Sequence, residues 1–274
     1  MNLNELFFEL SHEGRYDIFK KLCENKKRHS QLNKELNITG PEITRHLKRL
    51  SKKNLIKKGE DGRYGITNIG GFFTRVLDFF EVALNHIDFF NTHDFSPIPQ
   101  HLLVRIGELK YLETNNKTLE NIDYWSNLIR ESEDYIWAVS GQFQHSLLPV
   151  VEKKIQDQSI EIRGIVDKNL LKTHTLPDEW SKQFKDPIAF YKNIKIFKNI
   201  KYMDNLDLSL IVCDKGAIIF LSRDNQVDYS QCLLDIHPSF IQWTKDLFEW
   251  HWNKAKEFRP YVRKEMRGKQ KKND

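Results

Sequence analysis

The side chains best placed to do chemistry in this sequence are Thr44, Arg45, Lys48 and Arg49, with Pro41 and Glu42 just ahead of them. Spaced at i, i+1, i+4 and i+5, they share one side of a helix. Their chemistry is hydrogen-bond donation and charge neutralisation rather than bond breaking. A guanidinium fork matches the acceptor pair on a guanine edge, and an ammonium matches a phosphate oxygen. Three more cations, Lys57, Lys58 and Arg63, follow in a stretch punctuated by Gly59 and Asp61-Gly62.

Those groups need particular elements to hold them. Ser30 to Leu36 reads as a short helix with Leu32 and Leu36 inward, and the chain then turns through Asn37 and Ile38. A second helix starts at Thr39, where Thr39 and Glu42 have the spacing of a capping box and Gly40-Pro41 suits the first turn. Ile43, Leu47 and Leu50 give this helix one apolar face, leaving Thr44, Arg45, Lys48, Arg49 and Lys52 on the outside. That is the layout of a helix-turn-helix, whose second helix enters the DNA major groove. The plainer alternative is a helical hairpin with solvated charges. Beyond it, Leu55 to Lys58 and Arg63 to Thr67 read as two strands around Asp61-Gly62, a hairpin with a basic edge. Helix, short helix, recognition helix and hairpin make a winged helix.

The charge distribution agrees. Residues 1–67 hold 15 Lys/Arg against 9 Asp/Glu, residues 68–258 hold 21 against 27, and residues 259–274 hold 7 against 2. A basic head and tail around an acidic body suggest that only the ends meet phosphate. With 274 residues, 39% apolar and 30% charged, the chain suits a globular protein of more than one domain. Its apolar runs, such as Leu210 to Cys213, are too short for a membrane, and its start lacks the basic n-region of a secretory signal. Cys23, Cys213 and Cys232 are scattered without metal-ligand spacing, which fits buried thiols in a reducing cytoplasm.

Upstream, a helix is expected over Leu3 to Glu24 with a break near Ser11 to Gly14. Arg15 and Lys26-Lys27-Arg28 flank the motif as further phosphate candidates. Downstream, a long helix runs from Thr67 to about Asn91, on which Ile69, Phe73, Val76, Phe80, Ala83, Ile87 and Phe90 recur in four- and three-residue steps. A second copy of the helix or a core within one chain could cover this seam; two-fold readers of DNA favour the first. After a linker through His93 to Pro99, one helix is expected over Ile98 to Leu109. The rest alternates: a helix near Ile122 to Arg130, strand Tyr135 to Ser140, helix Leu147 to Gln156, strand Ile160 to Val166, a helix near Glu179 to Phe184 and strand Ile194 to Phe197. A hairpin over Leu208 to Leu221, an apolar run at Cys232 to Ile236 and a helix over Pro238 to Phe258 complete it. Helices between short apolar strands indicate a sheet covered on both faces.

Phosphodiesterases of the phospholipase-D type carry a His, a Lys two residues on and an Asp after four more; the His attacks phosphorus and the Lys neutralises charge. Placing Asp214 at that Asp puts Asp207 where the His belongs and Ser209 where the Lys belongs, so the reactive groups are missing. No nucleophile elbow, Walker sequence, dinucleotide fingerprint or metal-ligand pair appears either. His251 between Trp250 and Trp252 reads as a packed helix residue. If the second domain binds an effector, the site expected for it is the strand end at Ser140, Gly141 and Gln142, with Arg163, Asp167 and Asp207 converging. A satisfied polar rim fits the same residues.

The chain resembles archaeal winged-helix-turn-helix transcription regulators of the methanogenesis/filamentation type, and more distantly the archaeal sugar-sensing regulators. Thr44-Arg45-His46-Leu47 is similar to the recognition-helix run of the archaeal and bacterial winged-helix repressor superfamily. The wider resemblance covers residues 1–258 and rests on the domain order, the Thr67-x-x-Gly70 exit from the hairpin, the connector Ile98-Pro99 to Leu109 and the closing aromatic helix. It implies an α+β protein: a winged helix at 1–67, a long linker or dimerisation helix at 68–97, a non-catalytic phospholipase-D-like α/β domain at 98–258, and a basic tail at 259–274. The function expected is a dimeric, cytoplasmic, sequence-specific regulator that binds double-stranded DNA and has no cofactor, metal or membrane partner. The alternatives are a DNA-directed phosphodiesterase or nuclease, and a winged helix that binds the transcription machinery.

Overall fold

The structure is a computed structural model that describes residues 2–142, 144–156, 160–168, 199–258 and 260–261. The helix expected near Glu179, the strand at Ile194 to Phe197 and the tail lie outside the described residues. The chain forms an α+β fold in two compact units, Met1–Glu81 and Val82–Asp274.

In the first unit, α1 (Leu3–Leu10) and α2 (Glu13–Glu24) replace the single helix, with the break where the Ser11 to Gly14 run placed it. Then come α3 (His29–Leu36), α4 (Gly40–Lys52), β1 (Ile56–Lys58), β2 (Tyr64–Ile66) and α5 (Asn68–Asn85). Asn37, at φ 52°, closes α3 in the left-handed conformation and turns the chain into α4. Ile43, Leu47 and Leu50 of α4 are buried with Ile18, Phe19 and Leu22 of α2 and with Leu32 of α3, so the apolar stripe of α4 faces the core. The two strands pair antiparallel, Ile56 to Ile66 and Lys58 to Tyr64, around Gly62 at φ 78°. The backbone of Lys27 adds a bridge to Tyr64.

The Thr67-x-x-Gly70 exit has a mechanical reason. Thr67 Oγ1 accepts the Gly70 N–H at 3.0 Å, capping α5. Gly70 lies so close to Leu55 that a Cβ there would sit 2.2 Å from the Leu55 carbonyl oxygen. Two turns on, Lys20 Nζ binds Asp78 at 2.9 Å and Glu81 at 2.7 Å, and Tyr16 donates its hydroxyl to Glu81. Cap, close approach and ion cluster clamp the start of α5 onto the winged helix.

The long helix is shorter than expected: α5 ends at Asn85, and α6 (Ile87–Thr92) follows a break at His86. The expected connector helix is also broken, into α7 (Gln100–Leu103) and a 3-10 turn at Ile106–Glu108.

The second unit continues with β3 (Glu113–Asn115), α8 (Thr118–Glu131), β4 (Tyr135–Ser140), α9 (Leu148–Gln156), β5 (Glu161–Asp167) and β6 (Ile200–Met203). It ends with β7 (Leu208–Cys213), β8 (Gly216–Arg223), β9 (Gln226–Val227), β10 (Cys232–Asp235), α10 (Pro238–Lys254) and β11 (Lys256–Glu257). The sheet runs β11-β6-β5-β4-β7-β8-β10-β3, with β9 on β8; β4, β5 and β6 are mutually parallel and the other pairs antiparallel. Every residue of β7 is buried because both faces are covered. Ile211 and Cys213 join Leu128 and Ile129 of α8, while α10 packs against β4, β7 and β8. Cys213 and Cys232 are buried free thiols, and Cys23 is half-buried. No described helix is long and apolar enough to cross a membrane.

Candidate nucleic-acid interface

The recognition helix sorts its side chains by partner. Ile43, His46, Leu47 and Leu50 face inward, whereas Pro41, Glu42, Thr44, Arg45 and Lys48 are exposed. Arg45 keeps 65% of its side-chain surface open, and its one ion pair is a loose contact with Glu42 at 3.9 Å. The expected capping box is incomplete: Thr39 Oγ1 donates to Glu42 Oε2 at 2.9 Å, and no side chain caps the helix backbone. The Thr39 hydroxyl also holds the Glu42 carboxyl below its ordinary range, keeping an anion at the helix entrance.

Between α4 and the hairpin lies an open groove of about 940 Å³, lined among others by Thr44, Lys48, Asn54, Lys57, Lys58 and Tyr64. Lys58 lies across the strand pair from Tyr64, with Nζ 5.7 Å from the ring centre. Arg63 sits past the hairpin tip, exposed and only loosely paired with Asp61 at 3.7 Å. The groove therefore carries ammonium groups on both walls.

Two expected cations turn away from it. Arg49 binds Glu9 of α1 with Nε at 2.9 Å and Nη2 at 2.8 Å, so its guanidinium is engaged inside the unit. Arg15 is buried, donating to the carbonyls of Glu9 at 2.6 Å and Phe8 at 2.8 Å. Of the flanking run, Lys27 pairs with Glu35 at 2.9 Å, while Lys26 and Arg28 are exposed.

Two histidines, His29 and His46, brace the recognition helix from within the unit. His29 Nε2 lies 2.9 Å from Thr44 Oγ1 and 3.1 Å from the Gly40 carbonyl, to which Thr44 Oγ1 itself donates at 3.0 Å. The Thr44 hydroxyl is thus held in place by contacts within the unit. His46 packs on His12, ring centres 4.6 Å apart, and desolvation, followed by His12 and Arg45, lowers its pKa. Its position three residues after Ile43, on the same stripe, was the available signal.

Along α5, Ile69, Val76 and Phe80 are more than 40% exposed, as are Phe72 and, past the break, Ile87. Ala83 is half-buried. Phe73 leaves the expected seam by packing on the winged-helix core, and Phe90 leaves it by stacking on Phe95 at 4.7 Å.

The expected effector residues separate. Ser140 and Gln142 line a cavity at the end of β4, with Gly141 between them. Arg163 points to the opposite face of the sheet, bidentate to Glu249 and 4.3 Å from the Trp252 ring centre, because it pairs in register with Trp137 rather than Ser140. Asp167 ends β5 beside Gly141, and Asp207 is exposed; neither lines that cavity. Among the described residues no three His, Cys, Asp or Glu side chains converge as a metal would need.

Residues 12–58 match the bacterial regulatory protein arsR family, and residues 119–254 match the middle domain of the methanogenesis regulatory protein FilR1. No curated protein matches the chain. Among solved structures, the archaeal chromatin protein TrmBL2 is 15% identical at a TM-score of 0.37, covering 92% of this chain and 97% of its own. NucT from Helicobacter pylori is 10% identical at 0.36, over 54% of this chain and 99% of its own. Phosphatidylserine synthase from Haemophilus influenzae Rd KW20 is 12% identical at 0.33, over 46% and 33%. Superpositions this loose assign neither partner nor reaction. With one regulatory-family match in the helix-turn-helix region and a second over residues 119–254, the chain is a DNA-binding transcription regulator.

Proposed function

We propose that the regulator reads DNA as a two-fold dimer, with the N-terminal half of α4 in the major groove and the hairpin along the phosphates. The observation that carries this reading is the sorting of the cations. Arg15 and Arg49 are engaged by Glu9, whereas Arg45, Lys48, Lys57, Lys58 and Arg63 remain exposed on α4 and the hairpin. Arg45 and Lys48 read base edges and flanking phosphates, Pro41, Glu42 and the fixed Thr44 shape the entrance, and the hairpin cations set register. The exposed stripe Ile69, Phe72, Val76 and Phe80 of α5 supports pairing with a second copy, since apolar rows of this kind rarely stay uncovered. The winged helix at 1–67, the pairing helix after it and the α/β domain from 98 then have separate tasks.

The second unit acts in this reading as a phospholipase-D-like domain without catalysis. Ser209, in the place of the phosphate-binding Lys, is fully buried and donates to the Val139 carbonyl at 2.9 Å. Selection of bound sequences from a random duplex pool, then mobility shifts at physiological salt, tests the proposal. A palindromic motif shifted as a dimer supports it; sequence-independent binding or no shift overturns it. Metal-independent hydrolysis of a phosphodiester by the full chain would favour the enzyme instead.

A further inference from the structure

The α8 face of the sheet holds a cavity of about 290 Å³ that DNA reading does not use. Ile122 and Trp125 of α8 form one wall, Phe220 of β8 and Tyr229 the other, and Ser140, Gln142 and Gln144 the mouth. The aromatic rings are arranged around one space: Trp125 and Phe220 centres lie 6.0 Å apart, and Phe220 and Tyr229 centres 5.0 Å apart. No charged side chain is among the described residues that line it.

The polar groups divide into fixed and free. Ser140 exchanges hydrogen bonds with the Gln142 backbone, donating to its carbonyl at 2.8 Å and accepting its N–H at 3.1 Å. Gln144 Nε2 donates to Ser126 Oγ, itself buried, at 3.1 Å, which pins the amide at the mouth. The side-chain amide of Gln142 makes no hydrogen bond among the described residues. Burial raises the Tyr229 phenol, with the Ser209 and Ser140 hydroxyls pulling it back, so it stays neutral.

We propose that this cavity is a ligand site for an uncharged, planar aromatic compound of one or two rings bearing a carboxamide or equivalent donor–acceptor pair. The proposal rests on the second unit having a sensing role and replaces the expected charged site. Stacking surfaces select a flat ring, and the volume admits a small one. A free side-chain amide pairs in both directions with another amide. With no cation among the described lining residues, a carboxylate would be desolvated without a partner.

Calorimetric titration of the full chain with indole-3-carboxamide and indole-3-carboxylate tests this. The two probes share shape and differ in charge. The carboxamide is expected to bind at least tenfold more tightly than the carboxylate, and Gln142→Ala to weaken it severalfold. Ile122→Arg, at a 40% exposed wall position, adds a cation and is expected to shift the preference toward the carboxylate without disturbing the core. Equal affinity for both probes, no binding of either, or a preference unmoved by Ile122→Arg would overturn the proposal. Mobility shifts on the same preparations keep the outcomes apart: a chain that shifts its DNA motif but takes up no carboxamide loses this site and keeps its DNA reading.

Discussion

Arg49 reaches from the recognition helix to grip Glu9 of α1 through two parallel hydrogen bonds, at 2.9 and 2.8 Å. Glu9 is only 6% exposed and also faces Arg15 at 3.1 Å, while both guanidinium groups lie within 6 Å of the Phe8 ring centre, at 5.5 and 5.9 Å. The Arg49 hydrogen bonds hold the Glu9 carboxyl below its ordinary range, burial opposing them. One helix thus carries arginines with opposite duties four residues apart: Arg45 outward, Arg49 as a strut.

Arg49→Ala should therefore act on stability before it acts on DNA. Arg15 remains beside Glu9 and Arg49 is partly solvated, so the loss is about 1–2 kcal/mol, below that for breaking a fully buried pair. Urea unfolding of the first unit by circular dichroism gives the value. An unchanged midpoint together with a loss of DNA affinity would make Arg49 a DNA contact after all.

Arg45→Ala and Arg63→Ala should separate base reading from phosphate binding. The first is expected to lose about 1–3 kcal/mol on the selected motif and much less on random duplex. The second is expected to weaken both substrates alike and to reduce the salt slope by about one. Titrations at several salt concentrations measure both, and equal losses from both variants on both substrates would refute the division.

Phe80→Glu places a charge in the exposed stripe of α5. Phe80 is 41% exposed, so a single chain tolerates the change, whereas an apolar interface does not. On the proposed pairing, sedimentation of the native chain should show a dimer and that of the variant, at the same concentration, a monomer. Affinity for a two-half-site duplex should fall about 100-fold or more as the linked second contact is lost. A dimer that survives Phe80→Glu and Val76→Glu pairs through another surface.

The fold was legible wherever a local pattern carried it. Ile43, Leu47 and Leu50 orient α4, Asp61-Gly62 turns the hairpin, and Leu208 to Leu221 reads as two fully buried strands. The sites were less legible because their partners are distant. Nothing within a turn of Arg49 announces Glu9, forty residues earlier. The alternation around Arg163 separates it from Ser140, yet only the placement of α10 makes its face an aromatic and acidic one, through Trp252 and Glu249. The break at His86 has no proline or glycine beside it to mark it.

Gly70→Ala tests how the winged helix is joined to α5. The added methyl would sit 2.2 Å from the Leu55 oxygen and 2.9 Å from Ile66 Cγ2, so backbone must move. Overpacking of this kind costs about 1–3 kcal/mol. Thr67→Ala removes the cap and should cost about 1 kcal/mol without moving the backbone. If Gly70→Ala is as stable as the native chain, the contact between α5 and Leu55 is looser than its geometry implies.

Acid should weaken the second unit through His251. This buried side chain donates Nε2–H to the Pro97 carbonyl at 3.0 Å, and burial lowers its pKa from 6.5 to about 4. Above pH 6.5 the imidazole is neutral both folded and unfolded, and its contribution is complete. As pH falls below 6.5 the unfolded chain takes up the proton first, so stability drains away until the folded value near 4 is reached. The difference amounts to about 3 kcal/mol over that window. All six tryptophans lie beyond residue 124, so tryptophan fluorescence during urea unfolding reports this unit alone. His251→Gln keeps a donor for Pro97 but does not titrate, so its stability should be flatter between pH 6.5 and 4; an identical pH profile would remove His251 as the acid-sensitive group.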